Sequence, residues 1–459
     1  MTRIKSRGLA LPAGYVGYSG MSISRAATRY YIPLVLQSIS QSLTYPLVAT
    51  ITTRGDGGVA NLAAFAQGQS VMFVLGTVGA GLFTTGMVHA RTAEGYRRFA
   101  VLNTRIMFAV LFLQALCIFP AVEHLLFTVL LGLPPPLDGL AGRLFVLSLP
   151  AQAFFFIRTP YQVALYNAHA TFKANAATAG RMVLTLLASP LFIHLGWVGP
   201  YWAITAFTIP VILETIISRY MALPYIRALP AATEPPPSVR NLFSFCMPLS
   251  LGGFFLSVSG FMVGAFIARA PDPARMLGIH YIAMGLINPV SFAALRLQAV
   301  VLAFPPIDLK TTRTFSFAMS AGALLALLPQ IVQIPPLYTR YFGDIQNLPG
   351  SDIPLARTAI LVMALFPLCQ AFRGHAEGLA AWARQPQAIL AGQAVYLSTL
   401  VVCLFVCLNV GVPGFLMGVT SLIAATLATT GTVRLAVTGG FRQPVRQAVE
   451  AEPSETSPL

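Results

Sequence analysis

Twelve apolar stretches follow one another along this 459-residue chain. A helix needs about 20 mostly apolar residues to cross the hydrocarbon core of a bilayer. We therefore predict an all-α membrane protein with about twelve transmembrane helices, at approximately 29–52, 61–88, 100–121, 139–167, 174–195, 198–219, 241–268, 276–303, 314–333, 354–382, 386–409 and 413–436. Only 9% of the residues are charged, against about a quarter in soluble chains. This composition excludes a soluble enzyme, a disordered chain and, despite the net charge of +15, a nucleic-acid binder.

The distribution of Lys and Arg predicts how the chain is oriented. Twenty basic residues, Arg181 among them, fall on the side of the predicted loops that holds both termini. Six fall on the other side, namely Arg54, Arg143, Arg269, Arg275, Arg340 and Arg357. Since basic residues are retained on the cytoplasmic side, we predict a multi-pass plasma-membrane protein, in a bacterium the inner membrane, with both termini cytoplasmic. The first 28 residues lack the pattern of a cleavable signal peptide.

Landmarks of the first half recur in the second half at a nearly constant separation, which we call the repeat offset. The separation is identical for Pro33 and Pro248, Arg54 and Arg269, and Gly196 and Gly411, and it is slightly larger for Pro150 and Pro367. The recurrence predicts two six-helix repeats of like orientation, related by a pseudo-two-fold axis along the membrane normal. We divide the chain into an N-terminal segment 1–28, a bundle 29–221, a linker 222–240, a bundle 241–437 and a tail 438–459.

Charged side chains within the predicted spans are candidates for the functional site. Arg158, Arg296, Arg373, Glu214 and Glu377 lie in apolar stretches, where an ionisable group usually faces a cavity or a partner. Each arginine has three interpretations: it lines a central cleft, it forms an ion pair that fixes helix positions, or it extends to the membrane surface. Glu377 follows Arg373 by four residues, which permits a local pair on one helix face.

If the charged side chains within the spans line a cleft between the two halves, the excess of arginine over glutamate favours an anionic solute. A guanidinium group can bind a carboxylate or a phosphate through two parallel hydrogen bonds. Further candidates for the cleft are His375, Gln37 and Gln41, while Glu214 and Glu377 are candidates for a coupling proton or an ion pair. Prolines within spans mark candidate hinges, at Pro33, Pro150, Pro248, Pro289 and Pro367. Neither a metal-ligand spacing nor a Walker-type loop occurs, so we expect no metal, no cofactor and no direct use of ATP.

Two six-span halves, an early Pro-Leu in the first span of each, and a bent span four and span ten resemble the MATE-type exporters and flippases. Within that superfamily the sequence most resembles the progressive ankylosis proteins, through Pro367, Arg373, His375 and Gly378 of span ten. Pro248-Leu249 followed by Arg269 is a second, weaker match. The resemblance implies a secondary transporter that exports small organic or inorganic anions, with Arg373 and His375 near the substrate path. In spans one and seven the chain departs from that family, with Gln, Ser and Gly in place of charged residues.

Several alternatives stay open at the sequence level. A lipid-linked phosphate flippase would use Arg296, and an extruder of cationic drugs would need an accessible Glu214 or Glu377. A scaffold without transport and a membrane enzyme built on His375 are further alternatives. We expect a monomer without nucleic acid that moves a small anionic solute across the lipid bilayer, driven by a proton or sodium gradient or by diffusion alone.

Overall fold

The computed structural model describes residues 23–42, 44–79, 81–168, 170–232, 237–304, 312–383 and 385–440, and within these ranges the secondary structure is helical, without strands. The first half holds α1 Ile23–Ser42, α2 Thr44–Thr52, α3 Gly58–Gly76, α4 Leu82–His89, α5 Ala93–Ala115, α6 Pro120–Glu123, α7 Leu137–Leu147, α8 Leu149–Asn167, α9 Thr171–His194 and α10 Pro200–Arg227. The second half holds α11 Val239–Ile267, α12 Pro273–Leu295, α13 Leu297–Ala303, α14 Thr312–Leu327, α15 Ile353–Met363, α16 Leu365–Trp382, α17 Pro386–Val410 and α18 Gly414–Leu435.

Ten helices in the described residues are long and apolar enough to cross a membrane. They are Gly58–His89, Ala93–Ile118, Leu137–Asn167, Phe172–His194, Pro200–Arg227, Pro273–Leu302, Thr314–Gln333, Ile353–Trp382, Gln387–Val410 and Gly414–Thr438. The other two predicted spans, 29–52 and 241–268, correspond to α1 with α2 and to α11. Helices are favoured here because a helix satisfies its own backbone hydrogen bonds where water is absent. The all-α prediction is confirmed.

Two of the five predicted hinge prolines follow an interruption of a long helix. Ser148 separates α7 from α8 just before Pro150, and Ala364 separates α15 from α16 just before Pro367. Proline lacks an N–H and its ring clashes with the carbonyl four residues earlier, so a helix is interrupted on its N-terminal side. Pro289 instead lies inside the uninterrupted α12. Pro33 and Pro248 lie in α1 and α11, and their side chains fall outside the described structure. Whether any of them acts as a hinge stays a prediction.

Some elements of the first half have a counterpart in the second half at the repeat offset. Two π-helical segments, His124–Leu130 and Thr339–Ile345, occupy equivalent positions at that offset. Each is followed shortly by a residue with positive φ, Gly132 after one and Asn347 after the other. The symmetry axis that would relate the halves stays a prediction.

The two halves share a continuous apolar core. The largest cluster of buried side chains joins α2, α3 and α7 to α12, α15 and α18. This cluster lies toward the face of the molecule that carries residues 53–57, 131–136, 268–272 and 346–352. The bias in Lys and Arg predicts that this face is outside the cell, and we call this face the predicted outer face. The first helix of each half packs against the other half: the Tyr31 hydroxyl donates to the Ala293 carbonyl at 2.7 Å, and Leu242 and Cys246 pack among α4, α5 and α8.

Candidate functional site

A cavity of about 420 Å³ lies between the two halves. Helices α2 and α3 of the first half form one wall, and α11, α12, α16, α17 and α18 of the second half form the others. Aromatic rings cover much of it, contributed by Tyr45, Phe73, Tyr281, Phe292, Phe366 and Tyr396. Such a surface suits a ligand with an apolar or aromatic body, because aromatic side chains bury large areas in well-defined geometries.

Five buried side chains on this wall carry polar atoms that have no hydrogen-bond partner within the described residues. These atoms are both amide atoms of Gln69, Nδ1 of His280, the Ser291 hydroxyl, and Oε1 of Gln346 and of Gln370. All five side chains are at least nine-tenths buried. A buried polar atom without a partner costs free energy, so such atoms in a cavity wall are natural contacts for a ligand or for water.

Charged side chains are absent from the described lining of this cavity, which contains neither an Asp or Glu nor a Lys or Arg. Of the predicted cleft residues, Arg158, Arg373 and His375 stand elsewhere, as described below. Arg296 is exposed at the junction of α12 and α13, although its neighbours Phe292 and Leu295 line the cavity. Gln37 and Gln41 lie in α1, and their side chains fall outside the described structure. Substrate binding by these residues therefore stays a prediction.

The first half contains a buried charge cluster within its bundle. The carboxylate of Glu214, which is 0% exposed, forms an ion pair with Arg158, and Nη1 of Arg181 lies 3.5 Å from it. The Thr178 hydroxyl donates to the same carboxylate at 2.7 Å. Two guanidinium groups and one carboxylate leave this cluster with an excess of positive charge.

The second half holds its own buried pair on α16. Nε of Arg373 donates to Oε1 of Glu377 at 2.7 Å, as the i,i+4 spacing allowed. The Gln393 amide approaches the same oxygen at 3.4 Å. His375 points elsewhere, with Nε2 at 3.3 Å from the Thr314 hydroxyl. Both glutamates are therefore engaged by arginine.

The arginines stand one or more side chains behind the cavity wall. The Arg373 guanidinium lies over the ring of Tyr396, 4.9 Å from its centroid, and Tyr396 lines the cavity. Arg158 lies over Phe155, which connects through Phe207 to the lining residue Tyr45. Glu377 neutralises Arg373, so the excess positive charge belongs to the cluster of Arg158, Arg181 and Glu214. An electrostatic field is weakly screened in a medium of low dielectric constant, so a charge at this depth acts beyond the side chains that it contacts.

Sequence reasoning missed part of this arrangement. Arg181 was counted among the cytoplasmic basic residues, but it lies inside the span Phe172–His194 and is buried against Glu214. The assignment of Arg181 to the cytoplasmic side was therefore wrong. A charged residue can lie inside a span when a carboxylate on another helix pairs with it, and the sequence of its own span does not show that partner. From the sequence we assign no role to His280, Ser291 and Gln370. Each is a polar residue in an otherwise apolar span, and that is the signal that could have identified it as a cavity residue. Among the described residues no three His, Cys, Asp or Glu side chains form a metal-binding group.

Comparisons with known proteins define the fold. The chain is similar to an inward-facing multidrug resistance MATE family transporter of the MOP superfamily, at 14% identity and a TM-score of 0.65, over 90% of this chain and 95% of that one. An outward-facing MATE family transporter gives 14% identity and a TM-score of 0.60, over 94% and 97%. The lipid II flippase MurJ, in an inward closed conformation, gives 14% identity and a TM-score of 0.56, over 90% and 87%.

No protein-family model matches the chain, and no curated protein matches it significantly. At such low identity the structural neighbours establish the fold alone. The chain has the all-helical fold of the MATE-type transporters, with ten helices long and apolar enough to cross a membrane in its described part.

Proposed function

We propose that this chain is a secondary transporter that exports a small organic anion by alternating access through the central cavity. Three features support the proposal: the MATE-type fold, a cavity between two halves, and unpartnered polar groups on its wall. Neighbours of this fold include inward-facing and outward-facing transporters, so the architecture permits both arrangements. We further propose that the chain acts as a monomer in the plasma membrane, with both termini cytoplasmic.

The excess of guanidinium groups over carboxylates in the two ion-pair clusters is the observation that carries the anionic substrate. The partly buried Arg158 and the buried Arg181 and Arg373 outnumber Glu214 and Glu377, and they stand behind a wall that has no acidic residue in its described lining. The positive potential favours binding of an anion, and the described lining offers no carboxylate that could pair with a cation. The aromatic wall adds a preference for an anion with an apolar body. An extruder of cationic drugs is therefore disfavoured, since both candidate glutamates are paired with arginine.

A coupling proton or sodium ion would act at Glu214 or Glu377. Each carboxylate already contacts a guanidinium group, so binding a coupling ion there requires that the ion pair loosen during the cycle. If one of these glutamates binds the coupling ion, transport by its E214Q or E377Q variant no longer depends on the ion gradient. If the glutamate has only a structural role, transport by the variant still depends on the gradient.

Transport by purified protein in liposomes tests the anionic substrate. We would compare uptake of aromatic carboxylates, citrate, pyrophosphate and an organic cation in wild type, R373Q and R357Q. Arg357 is a matched control, because it lies in the same half, over the Tyr338 ring and away from the cavity lining. We expect R373Q to lower anion uptake about tenfold, the effect of losing about 1.4 kcal/mol of favourable potential. Full anion uptake by a folded R373Q, or preferential uptake of the cation, would contradict the proposal.

A lipid-linked phosphate flippase is the second candidate. It is favoured by the exposed Arg296 beside two cavity-lining residues and by the similarity to the flippase MurJ. In that case R296Q abolishes translocation of a fluorescent polyprenyl pyrophosphate in proteoliposomes, while R373Q retains it. Translocation of that lipid without uptake of any soluble anion would decide for the flippase.

The similarity to the progressive ankylosis proteins rests on the motif of Pro367, Arg373, His375 and Gly378. It stays a hypothesis, which export of citrate or pyrophosphate in the same assay would support.

A further inference from the structure

Arg54 and Arg269 are equivalent residues at the repeat offset, each just beyond the helix that leads to the predicted outer face. Each guanidinium first bonds within its own half. Nη1 of Arg54 donates to the Thr50 carbonyl at 3.0 Å, and Nη1 of Arg269 donates to the Ala265 carbonyl at 2.7 Å. Both carbonyls lie four residues before the arginine, so the two side chains are anchored in the same way.

The remaining donors of each arginine cross to the other half. Arg54 donates to the carbonyls of Asp344 and of Ile345, the latter at 2.7 Å, where the second π-helical segment ends. Arg269 donates to the carbonyls of Val129, Leu130 and Leu131 at 3.0, 2.9 and 2.9 Å, where the first π-helical segment ends. The acceptors Val129 and Leu130 are equivalent to Asp344 and Ile345 at the repeat offset.

The chemistry at these segment ends suits a guanidinium group. The last carbonyl groups of a helix accept no hydrogen bond from an N–H group of the same helix. They carry a partial negative charge, which a nearby basic side chain stabilises. After each segment the chain turns through a residue with positive φ, Gly132 or Asn347. At Gly132 a Cβ atom would stand 2.9 Å from the Arg269 guanidinium, so glycine keeps that approach open. The Asn347 amide donates to the Thr53 carbonyl at 3.1 Å beside Arg54.

We propose that Arg54 and Arg269 form a reciprocal latch that holds the predicted outer face closed, and that both arms must release before the cavity opens to that face. Each arginine stays tethered to its own helix while it gives up the carbonyls of the other half. The energy of these contacts then sets how often the outward-open arrangement is populated. This inference rests on the alternating-access function proposed above.

Accessibility of a cavity residue tests the latch without needing a substrate. In full-length protein whose five native cysteines are replaced by serine or alanine, S70C reports the cavity and D56C, in an exposed loop, reports the predicted outer face. Reaction with a membrane-impermeant maleimide would be measured in sealed vesicles of both orientations. D56C identifies the orientation in which that face is reached, and the S70C rate is then compared in that orientation.

We expect R54Q and R269Q each to raise the S70C rate from that face by about tenfold, and the double variant to raise it further, because each removes charge-assisted hydrogen bonds between the halves. R54K and R269K should give smaller increases, since an ammonium group cannot span two carbonyls as a guanidinium fork does. R275Q is the matched control: Arg275 pairs with Asp352 on the same face but within one half, so its loss should leave the rate unchanged.

Unchanged S70C labelling in R54Q, R269Q and the double variant, at a melting temperature equal to that of the parent, would overturn the latch. An equal rise in R275Q would also overturn it, because general loosening of the face would then explain the result. If anion transport fails in every assay but labelling responds as expected, the latch stands and the proposed function falls.

Discussion

Glu214 is fully buried, and its carboxylate contacts Arg158, Arg181 and the Thr178 hydroxyl. Removal of its charge would leave the buried guanidinium of Arg181 and the partly buried guanidinium of Arg158 without a counter-charge. Breaking a buried pair in this way costs about 3–5 kcal/mol, much more than a surface pair contributes. Glu214 therefore has a structural role in the first half whether or not it also carries a coupling ion.

We predict that E214Q lowers the melting temperature of the purified protein sharply, by an amount that corresponds to about 3–5 kcal/mol. The matched control is E94Q, which breaks the partly exposed pair of Arg98 and Glu94 and should cost at most about 1 kcal/mol. Thermal unfolding in detergent, followed by tryptophan fluorescence, measures both. Equal melting temperatures for E214Q and E94Q would show that water reaches the cluster and screens it.

At the scale of elements, close contact between α12 and α16 keeps the wall of the cavity in place. A Cβ atom added at Gly374 would lie 2.7 Å from the Leu295 carbonyl and 3.2 Å from the Ala294 carbonyl. Backbone cannot yield as a side chain can, so the two helices would have to separate. Gly431 of α18 differs, since no described atom lies within 4 Å of the corresponding position.

We predict that G374A destabilises the protein by about 1–3 kcal/mol, the usual cost of forcing extra volume into a packed interface. G431A should be neutral or stabilising by up to about 1 kcal/mol, because alanine favours the helix and meets open space. Thermal unfolding of the two single variants measures this difference. A neutral G374A would mean that α12 and α16 are less tightly packed than the structure indicates.

The two π-helical segments are separated in the chain by the repeat offset. Each segment accepts hydrogen bonds from the arginine of the other half. Neither the π-helical geometry nor the exchange of contacts between halves could be read from the offset, because both depend on how the halves meet.

At the scale of the whole molecule, the bias in Lys and Arg makes a prediction about orientation that the fold alone leaves open. With the native cysteines removed, D56C should react with an impermeant maleimide from outside intact cells. R227C, at the exposed end of α10, should react only after the membrane is permeabilised. Reaction of R227C in intact cells, with D56C protected, would reverse the predicted orientation.

The contacts of the charged residues within the spans also depend on the whole molecule. Because Arg158, Arg373 and Glu214 lie within apolar spans, we expect each to face either a partner or a cavity, and in the structure each has a partner. The pair of Arg373 and Glu377 was accessible from the sequence, because four residues bring two side chains onto one helix face. The pair of Arg158 and Glu214 joins residues 56 positions apart on α8 and α10, so no local pattern could specify it.

The sequence by itself determined the helical class and the approximate limits of the spans, because each apolar stretch has to satisfy its own backbone hydrogen bonds in hydrocarbon wherever it lies in the bundle. Its repeat offset predicted which elements recur. Only the tertiary structure decided that Tyr396, Gln69 and His280 face the cavity while the arginines stand behind its wall. That choice depends on the rotation of each helix about its axis, which is set by packing against helices distant in the chain.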